Sequence, residues 1–228
     1  MAPPPFPVAP PKKGLPPFAW VGIGCGGVIV LILLIAGIVG LTVGKSVLSK
    51  FKQHPALPMV EEVLQTHPEI GRLAENQEAG TVILAPNGSP DQVKTTYDEI
   101  VRGKVVMPDP SGTPVPLFQG DLTKVPAWVP RYPGASGITS LVHEDLPDKI
   151  HGIMVMEIAD TMDDVEKFAD TEAAKLFSSS STSRSNYDLN GTRRARFSYA
   201  GGKKELTFLA YGKSGSPLTV MVVYTERK

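Results

Sequence analysis

Residues 151–177 read HGIMVMEIADTMDDVEKFADTEAAKLF and join a strand pattern to a helix pattern. Residues 151–159 are apolar at odd-numbered and even-numbered positions alike. Since alternate residues of a strand point to opposite faces, this pattern predicts a strand buried on both faces. From Asp160 the apolar residues recur at helical spacing. They form a predicted buried stripe: Met162, Val165, Phe168, Ala169, Ala173 and Leu176. Asp160, or a capping box of Thr161 with Asp164, is expected to begin this helix, which runs to about Phe177.

Further strand patterns lie on both sides of this unit. Residues 138–143 precede it across the turn EDLPDK, and residues 178–183 form a predicted low-complexity loop after it. Three more predicted strands then follow, at residues 193–200, 205–212 and 218–226, joined by GGKK and SGSP turns. The order β-β-α-β-β-β predicts that residues 138–228 fold as an antiparallel sheet with one packed helix.

The predicted sheet needs a cover on its second face. Residues 218–224 are, like residues 151–159, apolar at both alternating sets of positions, whereas one helix covers a single side of a sheet. An N-terminal layer of the same chain, a second copy or another protein could provide the cover. We expect the chain to cover itself, because large exposed apolar patches are rare in monomers.

The pattern of residues 58–107 predicts a short helix at 58–66 and then a small β-meander subdomain. Its predicted strands are 70–74, 81–85, 92–97 and 104–107. The Asn87-Gly88 pair supplies a hairpin turn. Residues 108–137 contain seven prolines and predict an irregular Pro-rich connector without regular structure, which separates two subdomains. The predicted fold class is therefore α+β.

The N-terminal part has the composition of a membrane anchor. No charged residue lies between Lys13 and Lys45, and a helix of roughly 20 apolar residues crosses a bilayer. We predict a disordered Pro-rich tail at 1–17, a transmembrane helix at 18–44 and a juxtamembrane linker at 45–57. The apolar run is longer than that of a cleavable signal peptide.

The predicted span carries small residues at helical spacing. There are two sets, and within each set the residues are four positions apart: Gly22 with Gly26, and Ala36 with Gly40 and Gly44. Such spacing lets membrane helices pack closely, although glycine is also common in membrane helices that do not associate. The lipid bilayer is the first predicted partner, and another membrane protein or a second copy of this chain is the second.

The even charge balance, 23 basic against 23 acidic residues, gives no electrostatic footprint for nucleic acid. The single cysteine, Cys25, lies in the apolar run and excludes a disulfide framework. His143 and His151 surround an acidic segment, but they lack a metal-ligand spacing and are better explained by a polar turn. We therefore predict no catalytic, cofactor or metal site.

The segment VPAWVPRYPGA, residues 125–135, contains the candidate binding surface: Trp128, Arg131 and Tyr132. Aromatic rings and arginine in a rigid loop are typical of binding surfaces. The alternative is that the rings pack onto the sheet and the prolines fix the connector. Arg194 and Arg196 are expected to face away from Phe197 and Tyr199, because alternate residues of a strand point to opposite faces.

Several segments together resemble a known family. They are KKGLPPFAWVGIGCGG, EAGTVIL, TTYDEIVRGKVV and VPAWVPRYPGA, followed by the β-α-β-β-β end of the chain. The combination resembles a bacterial family of uncharacterised single-pass membrane proteins, whose members often carry a longer charged hairpin in place of APNGSPDQ. The resemblance implies a bacterial source and an envelope-facing domain. With the predicted anchor, we expect the protein to lie in the bacterial inner membrane. It implies no activity and no site residues.

These features predict a single-pass membrane protein with an extracytoplasmic domain that works by binding or scaffolding, as an accessory component of the cell envelope or of a membrane complex. A membrane-tethered enzyme with an unrecognised site is one alternative, and it predicts a concave pocket with convergent polar groups. A small-molecule or lipid-sensing domain is the other, and it predicts an apolar cavity between the meander and the sheet.

Overall fold

A computed structural model describes residues 54–109, 111–178, 181–189 and 191–228. The predicted tail, the transmembrane helix and its small residues, and most of the juxtamembrane linker lie outside the described residues. Among the described helices, none is long and apolar enough to cross a bilayer.

The N-terminal layer contains two short helices and a small sheet. Helix α1 is Leu57–Gln65, and strands β1, Ile70–Asn76, β2, Thr81–Pro86, and β3, Val93–Thr96, pair antiparallel in that order. Helix α2, Tyr97–Val101, follows β3 directly. The predicted α1 and the first three strands are confirmed, with ends shifted by one or two residues.

Helix α2 is absent from the sequence-based prediction, which extended the third strand to residue 97. A capping box begins the helix instead: the Glu99 backbone N–H donates to Thr96 Oγ1, and the Thr96 backbone N–H donates to Glu99 Oε2. This exchange satisfies two backbone donors that a helix start leaves unpaired, so it ends the strand at Thr96.

Two predictions are wrong: that the fourth strand belongs to the meander, and that the Pro-rich connector has no regular structure. Strand β4, Val106–Pro108, is not part of the meander but pairs with β5, Pro114–Pro116, in a separate two-stranded ribbon. The connector also contains a 3₁₀ turn, Leu122–Lys124. Prolines are tolerated in β5 because a two-stranded ribbon consists of edge strands, where a missing N–H need not break a ladder.

The C-terminal region forms a six-stranded antiparallel sheet. Its strands are β6, Ser136–Asp145; β7, Lys149–Ile158; β8, Ser181–Leu189; β9, Thr192–Gly201; β10, Lys204–Lys213; and β11, Leu218–Arg227, in the spatial order β6-β7-β11-β10-β9-β8. Helix α3, Met162–Leu176, connects β7 to β8. The predicted α+β class and antiparallel sheet are confirmed.

The sheet has one strand more than predicted, because β8 covers residues that were expected to start in a loop. The β8 sequence, STSRSNYDL, has polar residues at both alternating sets of positions and so lacks the apolar period of a half-buried strand. Its pairing with β9 is a tertiary contact that the local pattern does not indicate.

Helix α3 begins at the predicted capping box and not at Asp160. Thr161 is the N-cap, and Asp164 Oδ2 accepts from its backbone N–H at 3.2 Å. Met162, Val165, Ala169 and Ala173 are buried against the sheet, while Phe168 and Leu176 are partly buried beside them. The predicted stripe is therefore confirmed.

Both faces of the sheet are covered by this chain, as predicted. Helix α3 and residues 125–135 cover one face, where Phe197, Phe208 and Tyr224 are fully buried. The N-terminal layer covers the other face, where Ile153 and Met221 are fully buried together with Ile100. The strands β7 and β11 are apolar on both sides because each side meets a packed layer.

Candidate binding surface

Residues 125–135 run over the face of the sheet that carries α3. Val125 and Val129 are buried in the same cluster of side chains as Phe208. The Val129 backbone N–H donates to the Pro126 carbonyl at 3.0 Å, and the Ala135 N–H donates to the Tyr132 carbonyl at 3.1 Å. Since prolines also fix their φ angles, this segment is held in one conformation.

Trp128 is half-buried and is held by the ends of β10 and β11. Its Nε1–H donates to Glu226 Oε2 at 2.8 Å, and Lys204 Nζ lies 4.9 Å from the centre of the ring system. Lys204 and Glu226 are directly opposite in the β-ladder, with Nζ and Oε1 3.8 Å apart. A cation over an indole face is favourable, so the indole is fixed on one face and at its nitrogen.

The edge of Trp128 also meets Tyr224, whose ring centre is 6.1 Å away at an interplanar angle of 88°. Tyr224 is fully buried, and its Oη lies 3.0 Å from His143 Nδ1. Burial raises the pKa of Tyr224 to about 12, so its hydroxyl stays protonated and can donate to His143. Gly152 leaves the space that this tyrosine ring occupies.

Tyr132 connects the segment to the start of α3. Its Oη donates to Asp160 Oδ2 at 2.7 Å, and its ring packs on Phe168 with 4.9 Å between ring centres. Its backbone N–H points to Met156 Sδ at 3.4 Å. Burial first, and then the hydrogen bond to Asp160, raises the pKa of Tyr132 to about 12, so this hydroxyl remains a donor at neutral pH.

Arg131 lies between these two anchored rings and is exposed. Within the described residues, its side chain has no hydrogen bond or ion pair. The structure therefore brings Trp128 and Tyr132 onto the sheet, as the packing alternative expects, while Arg131 projects from the fixed segment. The binding role of the three residues remains a prediction.

The sequence does not single out the residues that support this surface. Glu226 is 98 positions from the tryptophan that it binds, and Tyr224 is 81 positions from His143. The aromatic and charged character of these residues is visible in the sequence, but their distance along the chain hides the contacts.

A cleft of about 280 Å³ lies beside the start of α3. It is lined by Thr161, Asp163, Arg193 and the loop from Lys213 to Ser216, with other residues. Arg193 Nη2 already donates to Asp163 Oδ1 at 3.0 Å, so these charges neutralise each other. Asp163 and Arg193 are therefore not free to bind a charged ligand without breaking this ion pair.

The histidines bind protein groups. His151 Nδ1 lies 3.0 Å from Thr225 Oγ1, and His54 Nδ1 accepts from the Ala56 backbone N–H at 3.3 Å. In the part of the chain that the structure describes, no group of three or more His, Cys, Asp or Glu side chains could hold a metal ion. Burial is the largest cause that lowers the pKa of His54 and of His151 below the ordinary value of 6.5.

We expect the free energy of unfolding to decrease as the pH falls through 6.5. A histidine with a lower pKa in the folded state binds more protons when unfolded, so acidification favours unfolding until the pH passes below the folded-state value. Urea unfolding of the full chain in detergent between about pH 5 and 8 measures this, since most carboxylates titrate below about 4.5. His54→Gln and His151→Gln should each flatten the pH dependence, and an unchanged slope in both would contradict the assignment.

The basic strand β9 has the predicted arrangement. Phe197 and Tyr199 are buried on the α3 side, while Arg196 is exposed on the opposite side. Arg194 also turns to that opposite side, where its guanidinium lies 5.9 Å from the centre of the Tyr187 ring. Arginines and buried rings therefore do not share one surface for stacking bases and binding phosphates.

Comparisons with protein-family models, with curated proteins and with solved structures gave no match for this chain. The function proposed below therefore rests on the sequence and on the geometry of the described residues.

Proposed function

We propose that this chain is a single-pass membrane protein whose α+β domain lies outside the cytoplasm and works by binding or scaffolding, as an accessory component of the cell envelope or of a membrane complex. The uncharged run between Lys13 and Lys45 supports the anchor. The fixed segment around Trp128, Arg131 and Tyr132 is the observation that carries the binding role.

Rigidity is what makes this segment suitable for recognition. The rings of Trp128 and Tyr132 are held by side chains of the sheet and of α3, so the backbone between them has little freedom to lose when a partner binds. A preorganised surface keeps more of its contact energy as affinity. Arg131 supplies an exposed group with five N–H donors at the centre of this surface.

The packing of the domain favours binding over sensing. The sensing alternative expects an apolar cavity between the meander and the sheet. Leu84 of the meander and Ile153 of the sheet are instead fully buried in one cluster with residues of α1 and α2. Side chains of the chain itself therefore occupy this interface.

Arg131→Ala is expected to reduce co-purification of a bound protein partner by at least about tenfold, which corresponds to roughly 1.4 kcal/mol of binding free energy. The measurement is affinity purification of the full chain from membranes in mild detergent, with bound proteins quantified by mass spectrometry. Lys94→Ala removes the same charge from an exposed position on β3 and is the matched control. Equal partner recovery from both variants, or a chain that is always recovered alone, would refute a binding role for this surface.

Labelling of a single thiol tests the proposed location. Cys25 is the natural cysteine, so a Cys25→Ser chain carrying Ser214→Cys has one thiol at an exposed position of the domain. This thiol should react with a membrane-impermeant maleimide in intact cells. A thiol at Ala9→Cys in the same background should react only after the membrane is permeabilised, and the reverse pattern would place the domain in the cytoplasm.

A further inference from the structure

The two edges of the six-stranded sheet differ. At β6 the ladder has register shifts between Ser136 and Thr139 and between Ser140 and Val142, and the Gly120 backbone N–H donates to the Ser140 carbonyl at 2.8 Å. Bulges and a covering segment are two ways in which proteins protect an edge strand from pairing with another chain. The β6 edge is therefore protected.

The β8 edge has none of these devices. Nine successive residues of β8 pair with β9 without a register shift, and β8 contains no proline, glycine or lysine. No backbone hydrogen bond from another described segment reaches its outer edge. Its single arginine, Arg184, turns away to α3, where it donates to Glu166 and Asp170. A regular edge of this kind presents a row of unpaired N–H and C=O groups to a further strand.

We propose that two copies of this chain pair antiparallel through β8, about a two-fold axis at Asn186, and so join their sheets into one. This inference rests on the proposed binding function and names a second copy as a partner. The axis is perpendicular to the sheet. Each even-numbered residue of β8 therefore lies opposite an even-numbered residue of the second copy, and each odd-numbered residue opposite an odd-numbered one, on the same face of the sheet.

Charge complementarity favours this register. Pairing about Asn186 places Arg184 opposite Asp188 of the second copy, and the symmetry repeats the pair on the other side of the axis. Asp188 is exposed and has no ion pair with a described residue. Arg184 uses Nη1 for Glu166, at 2.9 Å, and Nη2 for Asp170, and a guanidinium with five donors retains N–H groups for a third acceptor.

On the face of the sheet opposite to α3, the pairing of the two strands covers an exposed ring. Tyr187 is 61% exposed, the largest value among the exposed large apolar or aromatic residues that the structure describes. In the same register it lies opposite Ser185 of the second copy and diagonal to the other Tyr187. Diagonal positions are about 7–8 Å apart, which aromatic side chains can span. Pairing would therefore reduce the exposure of both tyrosine rings to water.

Site-specific cross-linking of the full chain in native membranes tests the proposal. In the Cys25→Ser background, Asn186→Cys places two thiols at the axis, with Cβ atoms roughly 5 Å apart. Thr182→Cys is the matched control on the same face of the same strand, where the two thiols would be roughly 27 Å apart. Oxidation with copper–phenanthroline should cross-link Asn186→Cys at least tenfold faster than Thr182→Cys. Equal rates, or no cross-linked dimer from Asn186→Cys, would overturn the pairing.

A charge reversal tests the register. Asp188→Lys places a cation opposite Arg184 and should reduce the Asn186→Cys cross-linking rate at least tenfold. Asp148→Lys makes the same change at an exposed turn between β6 and β7, at the other side of the sheet, and should leave the rate unchanged. An unaffected rate with Asp188→Lys would overturn the proposed register.

Cross-linking and partner recovery, measured in the same membranes, distinguish the pairing through β8 from the proposed binding function. Partner recovery that depends on Arg131 with no Asn186→Cys dimer would overturn the pairing and leave the binding role supported. The reverse result is a cross-linked dimer that depends on Asp188, together with partner recovery that Arg131→Ala does not change. It would support the pairing and refute the binding role of Trp128, Arg131 and Tyr132.

Discussion

Gly152→Ala is expected to lower the free energy of unfolding by about 3 kcal/mol, at the upper end of the usual cost of overpacking a core. An added Cβ would overlap Oη and Cζ of Tyr224 and would lie 2.8 Å from the Val142 carbonyl oxygen. One of these neighbours is backbone and the other is a fully buried ring, so neither can move away easily. Urea unfolding of the full chain in detergent, followed by far-UV circular dichroism, measures the loss.

A second replacement shows whether the ring is the cause. Tyr224→Leu shortens the side chain over Gly152, so the double variant should lose less stability than the sum of the two single variants. Strictly additive losses would contradict a direct clash. Because Tyr224 packs against Trp128, Gly152→Ala should also change the fluorescence of Trp128, which connects a glycine in the core to the candidate binding surface.

Ile100→Ala is expected to lower the free energy of unfolding by about 3 kcal/mol, within the range for removing a buried aliphatic side chain. Ile100 lies on α2, outside the six-stranded sheet, but it is fully buried in a cluster that includes Ile153 and Met221 of that sheet. The N-terminal layer and the sheet should therefore unfold together, with equal midpoints by circular dichroism and by tryptophan fluorescence.

Leu73→Ala is the matched control for this layer. Leu73 lies on β1 and is 56% exposed, so its truncation should change the free energy of unfolding by less than about 0.5 kcal/mol. Two separate transitions, or an equally small effect of Ile100→Ala, would show that the N-terminal layer is not part of the same core.

Local pattern predicted the elements that have a strong period or a specific terminal motif. Helix α3 follows from its apolar spacing and from Thr161 with Asp164, and β7 and β11 follow from apolar residues at both alternating sets of positions. These signals are local because a helix cap and a buried strand face each depend on residues only a few positions apart.

The same reasoning failed where the local pattern was weak or was overridden. Strand β8 is polar except for Tyr187 and Leu189, and its strand form depends on pairing with β9, so its serines resemble a loop. Strand β5 is rich in proline and exists through its pairing with β4. Helix α2 is only five residues long, and its capping box lies within what looks like the end of a strand.

The sequence by itself determined the α+β class and the antiparallel strands β6, β7, β9, β10 and β11. The membrane anchor and the binding role of Trp128, Arg131 and Tyr132 stay predictions. Only the tertiary structure decided that the N-terminal layer covers the second face of the sheet, that Glu226, Lys204 and Tyr224 hold Trp128, and that β8 forms an open edge. The physical reason is the range of the interactions: periodicity and caps act within a few residues, whereas packing between layers and strand pairing join residues far apart in the chain.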